Sequence, residues 1–323
     1  MAEQSLPRVG VIGLGAIGRT HIATWRNNGI TPVAFADAVP AALEAVVAEF
    51  GGEAYNDGVE LIRSGTIDIV SICTPPLFHR DLAIAAAEAG VAVLCEKPLA
   101  RTLKDALDIV DAVESSGTLF TVGFCHRFEP AIEHINGMIG NGDLGTIMTI
   151  RNRFAGHMAN AEKTWFANEA ISGGGSLADT SIHSIDLFRH LAGEPEAVQA
   201  LVSTQASDLG PRLDVEDTGI ITLRTASGTL GVLESSWRTP PGEWTVTIYG
   251  TDGEATFDYA TGRLQVKRSD GAVEDVELPN ESRFDREFAH FIDCWRGDAT
   301  PRVTVLDGLA ANRILDEAYR SAK

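Results

Sequence analysis

The stretch GVIGLGAIGRTH, residues 10–21, sets Gly13, Gly15 and Gly18 in the spacing G-x-G-x-x-G. In a chain with 32 glycines the spacing alone decides little, so its surroundings carry the argument. RVGVIGL (8–14) is a continuous apolar run rich in β-branched residues and reads as a buried strand. AIGRTHIATWRNN (16–28) has helical spacing and stops at Gly29. The next strand, TPVAFAD (31–37), ends in an acid, Asp37. A strand, a glycine turn, a helix and a second strand closed by an acid leave few folds open. They point to a β-α-β unit with parallel strands and a dinucleotide at the turn. Gly13 permits the tight turn, and Gly15, with the first-turn residues Ala16 and Ile17, brings backbone N–H groups to a pyrophosphate. Gly18 lets the helix pack closely on the strand. Asp37 accepts hydrogen bonds from ribose hydroxyls. The next residue, Ala38, offers no cation to a 2′-phosphate, so NAD is favoured over NADP.

The same rhythm continues downstream. PAALEAVVAEF (40–50) is a helix opened by Pro40 and stopped by Gly51–Gly52. IDIVSICTPP (67–76), VAVLCEKP (91–98) and LFTVGF (119–124) are further buried strands, separated by helices at 79–89 and 102–116. The second of these helices opens with a Thr102-x-x-Asp105 capping pattern. After about residue 125 the pattern changes. A helix near 128–139 and a strand near 146–153 lead through a polar, glycine-rich loop. From about 195 to 268 strand follows strand, with turn residues between, which suggests an antiparallel sheet. Helices near 283–295 and 304–321 end the chain. The expected fold class is an α/β Rossmann-type dinucleotide-binding domain over 1–125. A second, α+β domain with an open, mostly antiparallel sheet is expected over 126–323, for substrate binding and oligomerisation.

Two stretches hold candidate chemistry. In CEKPL (95–99), Lys97 is the only one of five lysines (97, 104, 163, 267, 323) that ends a buried strand of the parallel sheet, at the edge where such sheets bind ligands. A surface lysine in a turn is the plainer alternative. In GGGSLADTSIHSID (173–186), a helix over 178–191 would set Asp179 and His183 on one face, with Asp186 near it, and Gly173–Gly175 would let the backbone approach something closely. An acid–base pair facing a cofactor fits this pattern, and a core histidine with a capping aspartate fits it as well. Asp, His and Asp are also ligand types, but no further His or Cys cluster supports a metal, so none is assigned.

Composition narrows the function classes. The formal net charge of −19 opposes binding to nucleic acid or to an anionic membrane surface. No apolar run approaches the roughly 18 residues of a membrane span, and MAEQSLPRVG does not read as a secretory signal. Cys73, Cys95, Cys125 and Cys294 show no C-x-x-C spacing and read as buried free thiols in a reducing compartment, so a cytoplasmic location is expected.

The glycine turn together with CTPPLFH, CEKPL, VGFCHRFEP and GGGSLADTSIHSID, in this order, resembles the glucose–fructose oxidoreductase / inositol dehydrogenase / MocA family over nearly the whole chain. The resemblance implies an NAD-dependent dehydrogenase or reductase acting on a sugar, inositol or related polyol. It implies a homodimer or homotetramer built on the outer face of the second sheet. It sets Thr74, Pro75, His79 and Glu96 along the cofactor and Lys97, Asp179 and His183 beside the nicotinamide and substrate. It further implies that Trp165 and Phe166 of TWF close over both. The resemblance departs at Cys125, where many members carry a polar residue, so a contact to the nicotinamide end is either missing or replaced by His126. Two other functions fit the same motifs: a glycosidase using bound NAD for transient oxidation, and a non-catalytic nucleotide-binding sensor. Turnover without net NADH marks the first, and loss of the Lys97, Asp179 and His183 set would mark the second.

Overall fold

The computed structural model describes residues 6–208 and 210–322. Residues 1–5, on which part of the N-terminal reading falls, and Lys323 lie outside the described residues. The chain forms two compact units. One takes in the described residues up to Phe124 together with Phe284–Asn312, and the other Cys125–Arg283 with the end of the chain from Arg313.

The first unit holds a six-stranded parallel sheet: β1 (Val9–Ile12), β2 (Ala34–Ala36), β3 (Glu53–Tyr55), β4 (Ile69–Ile72), β5 (Ala92–Cys95) and β6 (Phe120–Val122), in the order β3-β2-β1-β4-β5-β6. Strands β1, β4 and β5 are buried throughout, as strands covered on both faces must be. Five helices connect them: α1 (Ala16–Asn27), α2 (Pro40–Phe50), α3 (Gly58–Arg63), α4 (His79–Ala89) and α5 (Leu103–Ser116). Thr102 caps α5 by accepting the Asp105 N–H. The strand order reverses between β1 and β4, which opens a crevice at their carboxyl ends, beside the glycine turn. Strand β3, which sequence periodicity did not indicate, is a three-residue edge strand with largely exposed side chains.

The second unit is an eight-stranded sheet: β7 (Ile147–His157), β8 (Pro195–Ser203), β9 (Thr218–Thr225), β10 (Leu230–Ser236), β11 (Arg238–Gly250), β12 (Gly253–Asp258), β13 (Arg263–Arg268) and β14 (Val273–Val276). Its order is β14-β13-β12-β11-β7-β10-β9-β8, antiparallel except for the parallel pair β7–β10. Edge strand β14 is short and exposed and carries no alternation, so it too was absent from the sequence reading. Three helices belong here: α6 (Pro130–Asn141), α7 (Glu169–Ser172) and α8 (Ile182–Ala192). Helix α8 lies so close to β10 that any side chain at Gly231 would stand 2.8 Å from the Phe188 ring. The opposite face carries the exposed Leu201, Ile220 and Leu230.

Helices α9 (Arg283–Arg296) and α10 (Val305–Ser321) end the chain. The sequence reading gives 126–323 to a single second domain, whereas Phe284–Asn312 cluster with the first unit. The reason is the apolar stripe of α9: Phe288 and Phe291 pack their ring edges against Trp25 at 4.7 and 6.3 Å, within the core that also holds Val9, Phe35 and Leu94.

Candidate active site

The glycine turn of the first unit is built by close approach. Gly13 has φ +87°, and a side chain there would stand 2.7 Å from the Cys73 backbone. One at Gly18 would stand 1.9 Å from the Gly13 carbonyl oxygen, so the helix can meet the turn only without a side chain there. Around Gly15 there is open space. No side chain caps α1, which leaves the backbone N–H groups of its first turn, Ala16 and Ile17 among its residues, to an outside acceptor. Asp37 accepts the Leu14 N–H at 2.7 Å and the Val39 N–H at 2.8 Å, which fixes its carboxylate at the crevice mouth. A cavity of about 450 Å³ opens there, lined by Asp37, Ala38, Asp57, Thr74, Phe78 and Asp81. Pro75 lines it as well, and the buried Thr74 hydroxyl has no partner within the protein. Together these features suit a dinucleotide: room at the glycine backbone, an acid for the ribose and a buried hydroxyl in need of a partner.

His79 and Glu96, which the resemblance sets along the cofactor, also make contacts within the protein. His79 is fully buried, with its ring nitrogens 2.8 Å from the Thr74 carbonyl and 3.0 Å from the Pro98 carbonyl. It therefore ties the loop after β4 to the turn after β5. Burial lowers its basicity, with the carbonyl contacts opposing. Glu96 is also buried. It pairs with His21 of α1 at 3.0 Å and accepts the Lys97 N–H at 3.2 Å. Burial pushes its carboxyl up, but the His21 contact and the nearby Lys97 outweigh that and hold it below the usual carboxyl value. Lys97 itself is half-buried at the carboxyl end of β5.

In the second unit the helix expected over 178–191 is not α-helical throughout. Leu177–Ser181 form a wide π-helical turn, and α8 starts only at Ile182. The expected four-residue register of Asp179 and His183 therefore runs across a π–α junction, a feature frequent at functional sites. His183 is nearly buried, and its ring stands edge-on to His126 at 4.6 Å. His126 in turn hydrogen-bonds the Tyr259 hydroxyl at 2.8 Å and packs on Phe154. The Asp179 N–H donates to the Gly175 carbonyl, and its carboxylate accepts the Thr180 hydroxyl at 3.2 Å. Asp186, read as lying near the same face, is held by Arg127 through two buried bonds of 2.8 and 2.5 Å. Trp165 and Phe166 stack on each other at 3.8 Å, and Phe166 packs on a small cluster with Trp237, Val215 and Leu213. Cys125 is buried.

Two glycines of the triplet, Gly174 and Gly175, approach protein closely. A side chain at Gly175 would lie 1.8 Å from the Glu216 carbonyl oxygen, and one at Gly174 1.9 Å from the Tyr319 hydroxyl. The buried Glu216 carboxylate accepts the N–H groups of Gly175 and Leu177 and the Tyr319 hydroxyl. Burial raises its pKa, with those donors pulling the other way. Sequence reasoning missed Glu216, Tyr319, Arg127, Tyr259 and His21. Only His21 carried a local signal, its position on the helix that the glycine turn opens.

Residues 7–124 match the family model described as the oxidoreductase family, NAD-binding Rossmann fold, and residues 132–256 match the GFO/IDH/MocA C-terminal domain. A levoglucosan dehydrogenase of Pseudarthrobacter phenanthrenivorans is 32% identical over 78% of this chain and 73% of its own. An inositol 2-dehydrogenase of Rhizobium meliloti is 30% identical over 97% of this chain and 96% of its own. Among solved structures, levoglucosan dehydrogenase in complex with NADH and levoglucosan superposes with a TM-score of 0.89 at 28% identity, covering 98% of this chain and 96% of that one. The chain belongs to the GFO/IDH/MocA family of NAD-binding oxidoreductases.

Proposed function

From that membership, we infer that the chain transfers hydride between nicotinamide and a secondary alcohol or ketone of a sugar, an inositol or a related cyclic polyol. The names of its relatives, which act on levoglucosan and on inositol, support this substrate class. The Gly13–Gly18 turn, the head of α1 and Asp37 hold NAD, with Thr74 and Pro75 along the crevice. Bound NAD supplies the hydride acceptor. His183 takes the proton from the alcohol oxygen, a task suited to an imidazole near neutral pH. Lys97 donates to the developing alkoxide and stabilises its charge. Asp179 orients the substrate through a neighbouring hydroxyl, His126 faces the nicotinamide end, and Trp165 and Phe166 cover the substrate.

The observation that carries this reading is His183 itself: nearly buried, set just past a π-helical turn that holds Asp179, and backed by the His126 ring. The test is a screen of sugars, inositols and their keto forms, followed by NADH absorbance. His183→Ala is expected to lose on the order of 10²–10⁴ in turnover with NADH affinity nearly unchanged. Full turnover per folded His183→Ala molecule would refute the assignment.

The same reading includes a cytoplasmic homo-oligomer. The free thiols of all four cysteines support the compartment. The exposed Leu201, Ile220 and Leu230 on one sheet face support association through that face. Light scattering is expected to give a dimer or tetramer, and Ile220→Asp to shift it toward monomer. A wild-type monomer at micromolar concentration would refute it.

A further inference from the structure

We propose that Glu216, with Tyr319, is a positioning residue for the reaction: it pins the head of the π-helical turn and thereby sets where Asp179 and His183 stand. The inference rests on the roles given to those two residues above.

Three consecutive backbone N–H groups open the segment that leads into the turn, and Glu216 takes all three. Its carboxylate accepts Gly175 N–H on both oxygens at 3.0 Å and Leu177 N–H at 2.9 Å. Its own carbonyl accepts Ser176 N–H at 2.9 Å. Groups at a helix head have no partner inside the helix, and a carboxylate there also meets the positive end of the helix dipole. Tyr319, from α10, donates its hydroxyl to the same Oε1 at 2.8 Å and so fixes the carboxylate in turn. The fit leaves no slack. Glycine is required at 174 and 175 because Tyr319 and the Glu216 backbone fill the space of a side chain.

The restraint passes directly to the acid–base residues. The Gly175 carbonyl, held by the N–H bonds on either side of it, accepts the Asp179 N–H at 2.9 Å. The turn ends at Ser181, and His183 is the second residue of α8. Ser181 and Ser176 both bond to Ser235 of β10, at 2.8 and 3.2 Å, which holds the turn onto the sheet. Those serines fix its side, and Glu216 fixes its start. A turn that begins one hydrogen bond early or late rotates every residue after it, including His183.

The test is a double-mutant cycle. Glu216→Gln keeps the size of the side chain but puts an amide N–H₂ group where one carboxylate oxygen stood. Tyr319→Phe removes one hydroxyl and nothing else. In the wild-type background each is expected to lower kcat by ~10- to 100-fold, the scale of a misplaced catalytic group, with NADH affinity unchanged. In the His183→Ala background each loss should shrink, because one of the two groups they position is gone. A merely structural role would give equal losses in both backgrounds, and that result overturns the proposal. So does wild-type kcat in folded Glu216→Gln and Tyr319→Phe alongside a large loss in His183→Ala. If Glu216→Gln does not fold, Tyr319→Phe alone completes the cycle. If His183→Ala keeps full turnover, the acid–base reading itself fails, and this inference falls with it.

Discussion

On the reading proposed above Asp37 carries the cofactor preference, and replacing Asp37 by serine and Ala38 by arginine tests it. In the native crevice the Leu14 and Val39 N–H groups orient the Asp37 carboxylate and leave lone pairs for the ribose hydroxyls. A hydrogen bond to a charged group contributes about 1.5–3 kcal/mol. A 2′-phosphate loses that bond and adds repulsion, about 1.7 kcal/mol for a double charge at roughly 5 Å in water. The native preference for NAD should then be about 3–5 kcal/mol, or roughly 200- to 3,000-fold. The double substitution removes both contributions. It does not simply invert the preference, because Asp57 and Asp81 line the same cavity and offer carboxylates to the new guanidinium. Serine is also too short to serve both the Leu14 and Val39 amides, so the glycine turn loosens and both cofactors bind more weakly. The expected result is NADH and NADPH affinities within about tenfold of each other. Adding Asp57→Asn should tilt the variant further to NADPH while keeping the bond from Glu60 N–H that starts α3, 2.9 Å in the native protein. Fluorescence titration with NADH and NADPH gives all the constants. Equal wild-type affinity for the two, or an unchanged ratio in the double variant, would refute the reasoning.

Two further outcomes concern the buried pairs. The carboxyl of Glu96 is held below its usual pKa, chiefly by His21 working against burial, so the native state binds its proton less readily than the unfolded chain. That stabilisation is present above the unfolded pKa and is lost as pH falls through the folded one. His21→Phe should lower the melting temperature at neutral pH and flatten the acid limb of a Tm-against-pH curve; an unaltered limb would show that the pair does not couple to stability. Arg127→Met takes two close bonds from the buried Asp186 carboxylate, which keeps Arg189 at 3.8 Å, and should cost up to about 3–5 kcal/mol in denaturant unfolding, whereas Arg127→Met with Asp186→Leu should recover most of it. A double variant no more stable than the single one would disprove the pairing argument.

Much of the first unit was legible because its information is local. The glycine turn, the strands around it and Asp37 lie within a single β-α-β unit, and the motif fixes geometry by what glycine lacks. The second sheet was legible as strands but not as an order, since nothing in the run of residues says that β7 lies between β11 and β10. The edge strands β3 and β14 escaped because an exposed edge needs no apolar alternation.

What the sequence determined by itself was the kind of chemistry: the residue types at 97, 179 and 183 and the strand, turn or helix segments that carry them. What only the tertiary structure decided was who holds those residues. The partners of Glu216 lie 39 to 103 positions away, Arg127 and Asp186 are 59 apart, and His21 and Glu96 are 75 apart. No periodicity links such residues. Each pair exists because burying one polar group demands a partner, and the fold supplies whichever side chain the packing brings within reach. The π-helical turn has the same origin: an α-helical register was the local expectation, and the close seats of Gly174 on Tyr319 and Gly175 on Glu216 restrict where the turn can begin.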